Sequence, residues 1–277
     1  MVSNSNKKCT NCGNIGHVNR NCIFPIKSLG LIVFRKTPND TYVCMVQRNH
    51  SLSFWEFICG KYLLSNKEYI KKLFSKMTQY ERYLLQSCSF EELCEELFKR
   101  PVRNNEKTNE WLHRQKQFTI LKYGYYIKNT FQYMFINIDT LIETTESQIP
   151  ECELEFPKGR PKYDEISYDT AIREFEEETK IPENSITVYT KYQIKQNFYG
   201  TNGNKYNNYY FIGELVNNDI SLSYDINTVE VNQVKWIPIN DVFNLVKNSH
   251  QNKYTIFKKA YNVFLSLQTR RDCNLSL

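Results

Sequence analysis

Apolar and β-branched residues crowd Leu29–Arg35 and Tyr42–Gln47, and Thr37-Pro38-Asn39-Asp40 between them is turn chemistry, so the pattern predicts a β-hairpin over 29–48. The period then changes. Tyr69, Ile70, Leu73, Phe74 and Met77 recur at helical spacing, as do Phe90, Leu93, Cys94, Leu97 and Phe98. Asn66 and Ser89 stand where N-caps belong, and Ser89-Phe90-Glu91-Glu92 has the form of a capping box. Pro101 stops that second helix, and a further one is expected from about Glu106 to Tyr123, ending at Gly124. From residue 150 the pattern is mixed: a helix within 166–179, strands near 185–196, 206–215 and 231–237, and a helical stripe (Ile256, Ala260, Val263, Phe264, Leu267) in the tail 251–269. A helical block, 66–145, is thus expected as an insertion between two parts of one α/β domain, 26–65 and 146–277, with residues 1–25 a separate small module.

The helix within 166–179 carries the most informative chemistry. Glu174, Glu177 and Glu178 stand at i, i+3 and i+4, so they project from one helical face. Carboxylates that close repel one another, and hard divalent cations such as Mg²⁺ or Mn²⁺, which take oxygen ligands and bridge to phosphate, offset the repulsion. Arg173 lies i+4 from Glu177 and can orient one carboxylate, while Ala171, Ile172 and Phe175 form a separate apolar face. Taken alone, Glu-Glu-Glu also suits a solvated acidic helix. The flanking spacing decides against that: Gly159-x5-Glu165-x7-Arg173-Glu174-Phe175-x-Glu177-Glu178, with Ile181 following, resembles the signature of the Nudix hydrolases.

That resemblance implies an α/β/α sandwich with a mixed sheet, and hydrolysis of a nucleoside diphosphate linked to another moiety. It implies metal ligation by Glu174, Glu177 and Glu178 with help from the backbone at Lys158-Gly159, and bracing of the loop by Glu165 and Arg173. Lys180 departs from the pattern by standing where the family has a left-handed Gly, at a cost on the order of 1 kcal/mol. Pro182 still ends the helix, so altered capping is expected rather than lost activity. Glu230, in Glu230-Val-Asn-Gln-Val-Lys-Trp236, resembles the glutamate that precedes a Trp-ending strand in decapping-type members and is a candidate general base; a strand-edge surface Glu is an equal reading.

The front of the chain adds a second metal pattern. Cys9-x2-Cys12-x4-His17-x4-Cys22 matches the CCHC zinc knuckle, with Gly13 and Gly16 available for tight turns. Of nine cysteines only these three cluster, which favours a structural Zn²⁺ site over a disulfide framework. Such modules commonly hold single-stranded nucleic acid, Ile15 and Val18 being possible base contacts, though a purely structural knuckle remains open. The formal charge is +6, and the first 60 residues carry Lys7, Lys8, Arg20, Lys27, Arg35, Lys36 and Arg48 against Asp40 and Glu56. A basic front end suits a polyanion. No apolar run reaches bilayer-spanning length and residues 1–8 lack a signal stretch, so a soluble, intracellular protein with no membrane partner is expected.

A pyrophosphate-cleaving centre beside an RNA-holding module points to capped RNA. Phe156-Pro157-Lys158-Gly159-Arg160 is similar to the opening of the box in mRNA-decapping Nudix enzymes. Met45-Val46-Gln47-Arg48, Phe54-Trp55-Glu56-Phe57-Ile58-Cys59-Gly60-Lys61-Tyr62, Met77-Thr78 and Phe198-Tyr199-Gly200-Thr201-Asn202-Gly203 resemble decapping enzymes of large cytoplasmic DNA viruses, the giant-virus type with an N-terminal knuckle above all. The implied reaction releases methylated guanosine diphosphate and leaves 5′-monophosphate RNA in the host cytoplasm, with packaging in the virion as a further option. Candidate substrate contacts are Phe54, Trp55, Lys61, Lys158, Phe198 and Tyr206; Lys67, Lys71, Lys72 and Lys76 could guide the RNA body. Two other readings stay open: hydrolysis of dinucleoside polyphosphates or inositol pyrophosphates, and a non-catalytic RNA-binding protein.

Overall fold

The computed structural model describes residues 8–9, 11–17, 21–128, 132–162, 164–200, 203–216, 221, 223–226, 228–247 and 252–275. Val18, Thr201 and Asn202, singled out above, lie outside the described residues. The chain forms two compact units: Met1–Val46 with Glu155–Ile226 and Gln233–Leu277, and Gln47–Leu154 with Asn227–Asn232. Among the described residues no helix is long and apolar enough to cross a membrane.

The first unit is built on a mixed sheet. β1 (Ile26–Lys36) and β2 (Thr41–Arg48) form the expected antiparallel hairpin, with Phe34 opposite Val43. Two short strands, β5 (Leu154–Glu155) and β6 (Lys158–Gly159), pair with β2 and β1. β7 (Ile186–Tyr199), β8 (Lys205–Leu215), β9 (Ser223–Asp225) and β10 (Val231–Pro238) complete the order β7-β8-β1-β2-β10-β9. β1 runs parallel to β8 from Ile26 opposite Tyr206 to Phe34 opposite Glu214, while β7 and β8 are antiparallel. Gly30 is required where β6 closes on β1, because a Cβ there would sit 2.1 Å from the Pro157 carbonyl oxygen.

Adjacent residues of one strand point to opposite faces. On β8, Phe211 meets Tyr168 of α7 (Ser167–Thr179) edge-on. Its neighbour Tyr210 meets Phe156, which stacks on Phe257 of α9 (Lys253–Leu275). α7 and α9 therefore cover opposite faces of the sheet. Phe34, fully buried, anchors the α9 side by stacking on Phe264 at 4.4 Å. The fold is an α/β/α sandwich with a mixed sheet, as anticipated from the sequence, and α8 (Ile239–Lys247), which the periodicity did not mark, leads into α9.

The second unit is mainly helical: α1 (Leu52–Ile58), α2 (Lys67–Ser75), α3 (Gln79–Ser87), α4 (Phe90–Phe98), α5 (Asn109–Tyr123) and α6 (Ile138–Glu143). Asn66 caps α2 through the Tyr69 N–H, and the Ser89/Glu92 capping box opens α4 as its spacing requires. Gly124 ends α5 at φ +96°. The stretch 66–145 is not helical throughout. β3 (Tyr125–Lys128) and β4 (Tyr133–Ile136) pair as an antiparallel hairpin, since aromatic and β-branched residues, three of the four in each strand, favour extended backbone. One cluster containing Phe54, Phe57, Phe74, Leu85, Leu93 and Leu121 forms this unit's core.

Candidate active site and metal centre

α7 ends at Lys180 in the left-handed conformation, φ 60° and ψ 14°, the geometry for which a Gly was missed. The strain is offset locally: Lys180 Nζ donates to the Glu177 carbonyl at 3.0 Å, capping the last turn. Upstream, Glu165 ties the approaching loop to the helix. It accepts from Arg173 Nε (2.7 Å), the Lys162 N–H (2.9 Å) and Thr170 Oγ1 (2.9 Å). The Arg173 hydrogen bonds prevail over partial burial and hold its carboxyl down at about 2, so Glu165 stays an anion.

Arg173 is the hub. Its Nη1 lies 2.7 Å from Glu174 Oε1 and 3.0 Å from Glu177 Oε2, and its Nη2 donates to the Arg160 carbonyl at 3.1 Å. Glu177, half exposed, also meets Lys162 Nζ at 3.1 Å. Glu178 is buried and accepts the Lys158 N–H at 2.9 Å. Glu174 rests against Gly159, where a Cβ would sit 2.0 Å from its carboxylate. The structure thus brings together Glu165, Arg173, Glu174, Glu177 and Glu178 with the Lys158-Gly159 backbone. A loop that opens onto three carboxylates, two of them sharing one guanidinium, presents oxygen donors of the kind hard divalent cations take. Gly159→Ala is expected to displace the flexible Glu174 side chain at little cost in melting temperature, yet to weaken Mn²⁺ binding at least about tenfold. Unchanged Mn²⁺ affinity in a metal titration would show that Glu174 is not held in place by this glycine.

Sequence reasoning missed Glu155. It is buried, lies 2.6 Å from Lys158 Nζ and is approached by Lys253 at 3.9 Å. Burial opposes the charge of Lys158, but Glu155 outweighs it and raises the ammonium's pKa, so the pair is ionic. The substrate contact expected of Lys158 therefore has a carboxylate already on its ammonium. Only the period of two in a strand pairing too short to stand out could have pointed to Glu155.

The remaining candidates are scattered. Phe198 and Tyr206, cross-strand neighbours on β7 and β8, stack on each other at 5.2 Å and 10°. Lys61 is exposed just beyond α1. Phe54 must be corrected: it is fully buried in the helical core, stacked on His50, and offers no face to a base. Trp55 is half-buried, edge-on to Phe98 at 5.6 Å. Glu230 is largely exposed, 3.9 Å from Arg48, and belongs to the second unit while the three helix glutamates belong to the first.

In the same unit, the ligand atoms of Cys9, Cys12, His17 and Cys22 all lie within 4.8 Å of one another. Gly13 and Gly16 turn the chain there at φ +78° and +101°. Burial works against ionising Cys22, yet hydrogen bonds with Asn11, His17 and the Phe24 backbone bring its thiol down to about 6, toward the thiolate that metals take. Three sulfurs and an imidazole in one small cluster fit a metal ion. Asn11, unremarked in the sequence, fastens this module to β1: it accepts from the Lys27 N–H at 2.8 Å and donates to the Pro25 carbonyl at 3.0 Å. Lys8 pairs with Asp164 in the loop before α7.

A loop, a bracing Glu–Arg pair and a carboxylate-bearing helix on an α/β/α sandwich define the class, and residues 140–260 match the NUDIX domain model: the chain carries a Nudix domain. It is similar to mRNA-decapping protein g5R of African swine fever virus. The identity is 29% over 247 residues for the Warthog/Namibia/Wart80/1980 isolate, covering 85% of this chain and 94% of that protein. For the Pig/Kenya/KEN-50/1950 isolate it is 28% over 245 residues, with the same coverage. Among solved structures, a C. elegans Ap4A hydrolase binary complex superposes with a TM-score of 0.44 at 12% identity, covering 87% of this chain and 97% of that one.

Proposed function

We propose that the chain hydrolyses the 5′ cap of mRNA, releasing methylated guanosine diphosphate and leaving 5′-monophosphate RNA. The observation that carries this reading is the convergence of Glu174, Glu177 and Glu178 on the Lys158-Gly159 backbone and Arg173. Similarity to decapping proteins along most of the chain supports the cap over other pyrophosphates. In this reading the three glutamates hold Mg²⁺ or Mn²⁺. Bound there, such ions supply charge neutralisation at the pyrophosphate and a more acidic water. Arg173 keeps Glu174 and Glu177 side by side, and Glu165 fixes Arg173. Glu230 is offered as the base that takes the proton of the attacking water. Phe198, Tyr206, Trp55, Lys61 and Lys158 are offered as cap or phosphate contacts, and the host cytoplasm as the place of action.

The test is incubation of cap-labelled RNA with Mg²⁺ or Mn²⁺ and identification of the products. Methylated guanosine diphosphate is expected, with inhibition by uncapped RNA exceeding that by free cap analogue. No diphosphate with either metal overturns the reading, and preferential cleavage of a free dinucleoside polyphosphate replaces it with small-molecule hydrolysis. Glu230→Gln should cut the rate about a hundredfold or more; a wild-type rate removes Glu230 from the chemistry.

Cys9, Cys12, His17 and Cys22 are assigned to Zn²⁺, which folds a module too small to bury a core. Stripping zinc is expected to weaken RNA affinity more than it slows cleavage at saturating substrate. An unchanged RNA affinity in Cys9→Ser would leave the knuckle a purely structural role.

A further inference from the structure

The β3–β4 hairpin of the helical unit has two unlike faces. Tyr125, Ile127 and Ile136 pack against the unit's apolar cluster. The register places Tyr126 opposite Phe135 and Lys128 opposite Tyr133, so these four share the other face. That face is open: Tyr126 is 69% and Tyr133 70% exposed, and Phe135 is 41% exposed. Tyr123, at the end of the preceding helix, is 79% exposed. Tyr126 and Phe135 hold each other's rings at 5.3 Å, and Phe135 also leans on Gly124, where a Cβ would meet its ring at 2.1 Å. The aromatic surface is therefore pre-set by its own packing.

Isolated exposed aromatics are ordinary; a ladder of them on one sheet face is not. Its charge narrows the partner. From Lys122 to Ile136 the chain contains no carboxylate; Lys128 lies on the open face opposite Tyr133, while Lys122 donates to the Cys88 carbonyl and Lys67 meets Met134, the partner of Ile127. Flat rings with the Lys128 ammonium on the same face fit unstacked bases joined by phosphates. Tyrosines also fit better than aliphatic residues would, since their rings stack while their hydroxyls stay wet.

We propose that the open face of the β3–β4 hairpin is a stacking platform for single-stranded RNA, with Tyr126, Tyr133 and Phe135 receiving bases and Lys128 a phosphate. It rests on the reading above only for the choice of RNA as the polymer. The platform binds the RNA body whether or not a cap is present, and it binds without regard to sequence, because every base offers a π-face.

The experiment measures binding of the full chain to uncapped single-stranded RNA by fluorescence anisotropy in EDTA-free buffer without added Mg²⁺ or Mn²⁺. Tyr126→Ala with Tyr133→Ala should weaken binding about tenfold or more, while the two Tyr→Phe changes retain most of it. Lys128→Ala should lower the slope of log affinity against log salt by roughly one. Binding of duplex RNA, whose bases are already stacked, should change little. Wild-type affinity in the double Ala variant overturns the platform. So does a shift in sedimentation from dimer to monomer, or lost binding to anionic vesicles, with RNA affinity unchanged. Because no cap or added metal is used, failure here leaves cap hydrolysis standing, and failure of cap hydrolysis leaves this result standing.

Discussion

Replacing Glu178 by Gln is expected to slow cap hydrolysis at least about a hundredfold at saturating Mg²⁺ while leaving the melting temperature nearly unchanged. Glu178 is buried and accepts the Lys158 N–H at 2.9 Å. A glutamine keeps a carbonyl oxygen at that spot, so β6 remains tied to α7. What it loses is the negative charge, in a place where burial magnifies charge effects. Glu177, half exposed and paired with both Arg173 and Lys162, is better screened, and its loss should disturb the fold least. Single-turnover release of labelled diphosphate, read beside thermal melting, separates the two quantities. A Glu178→Gln rate within about threefold of wild type would mean that this carboxylate is only a structural tie.

The second large effect is on stability, in the helical unit. Glu81 is 1% exposed and accepts from the Ser51 N–H (2.6 Å), Ser51 Oγ (2.8 Å) and the Thr78 N–H (2.8 Å). Ser51 caps α1 and Thr78 caps α3, so one carboxylate serves two helix N-termini, where negative charge is favoured. His50 Nδ1, also buried, lies 3.7 Å away. Glu81→Ala strips several buried donors of their acceptor, at roughly 1–3 kcal/mol for each one left unsatisfied. The expected loss is about 3 kcal/mol or more, which lowers the melting temperature by roughly 10 °C in a chain of this size. A melting temperature within about 2 °C of wild type would show that water replaces the carboxylate without penalty.

Features legible in the sequence are those whose partners lie within a turn or two of helix. Glu174, Glu177 and Glu178 share a face because of helical pitch alone, and Ser89 with Glu92 forms a capping box for the same local reason. The Cys9–Cys22 cluster is likewise a short loop closed on itself. Lys180 marked a left-handed helix end even without a glycine. Tertiary packing decided the rest. Glu155 acquires its importance from Lys158 and from Lys253, nearly a hundred residues away, and Asn11 from the turn into β1. Phe54 shows the limit most plainly: aromatic identity fits a cap-stacking ring and a core residue equally, and only burial distinguishes them. The β3–β4 hairpin escaped notice because its strands carry no strong turn pair between them and its open face holds Tyr126, Tyr133 and Phe135 where polar residues would have marked an alternation.

The most direct test of the carboxylate site is a Mn²⁺ titration followed by electron paramagnetic resonance. The wild-type chain is expected to bind Mn²⁺ with loss of the free-ion signal, and a Glu174→Gln, Glu177→Gln, Glu178→Gln variant that retains its fold by circular dichroism is expected to leave that signal intact. Equal Mn²⁺ binding by the two proteins would contradict the site.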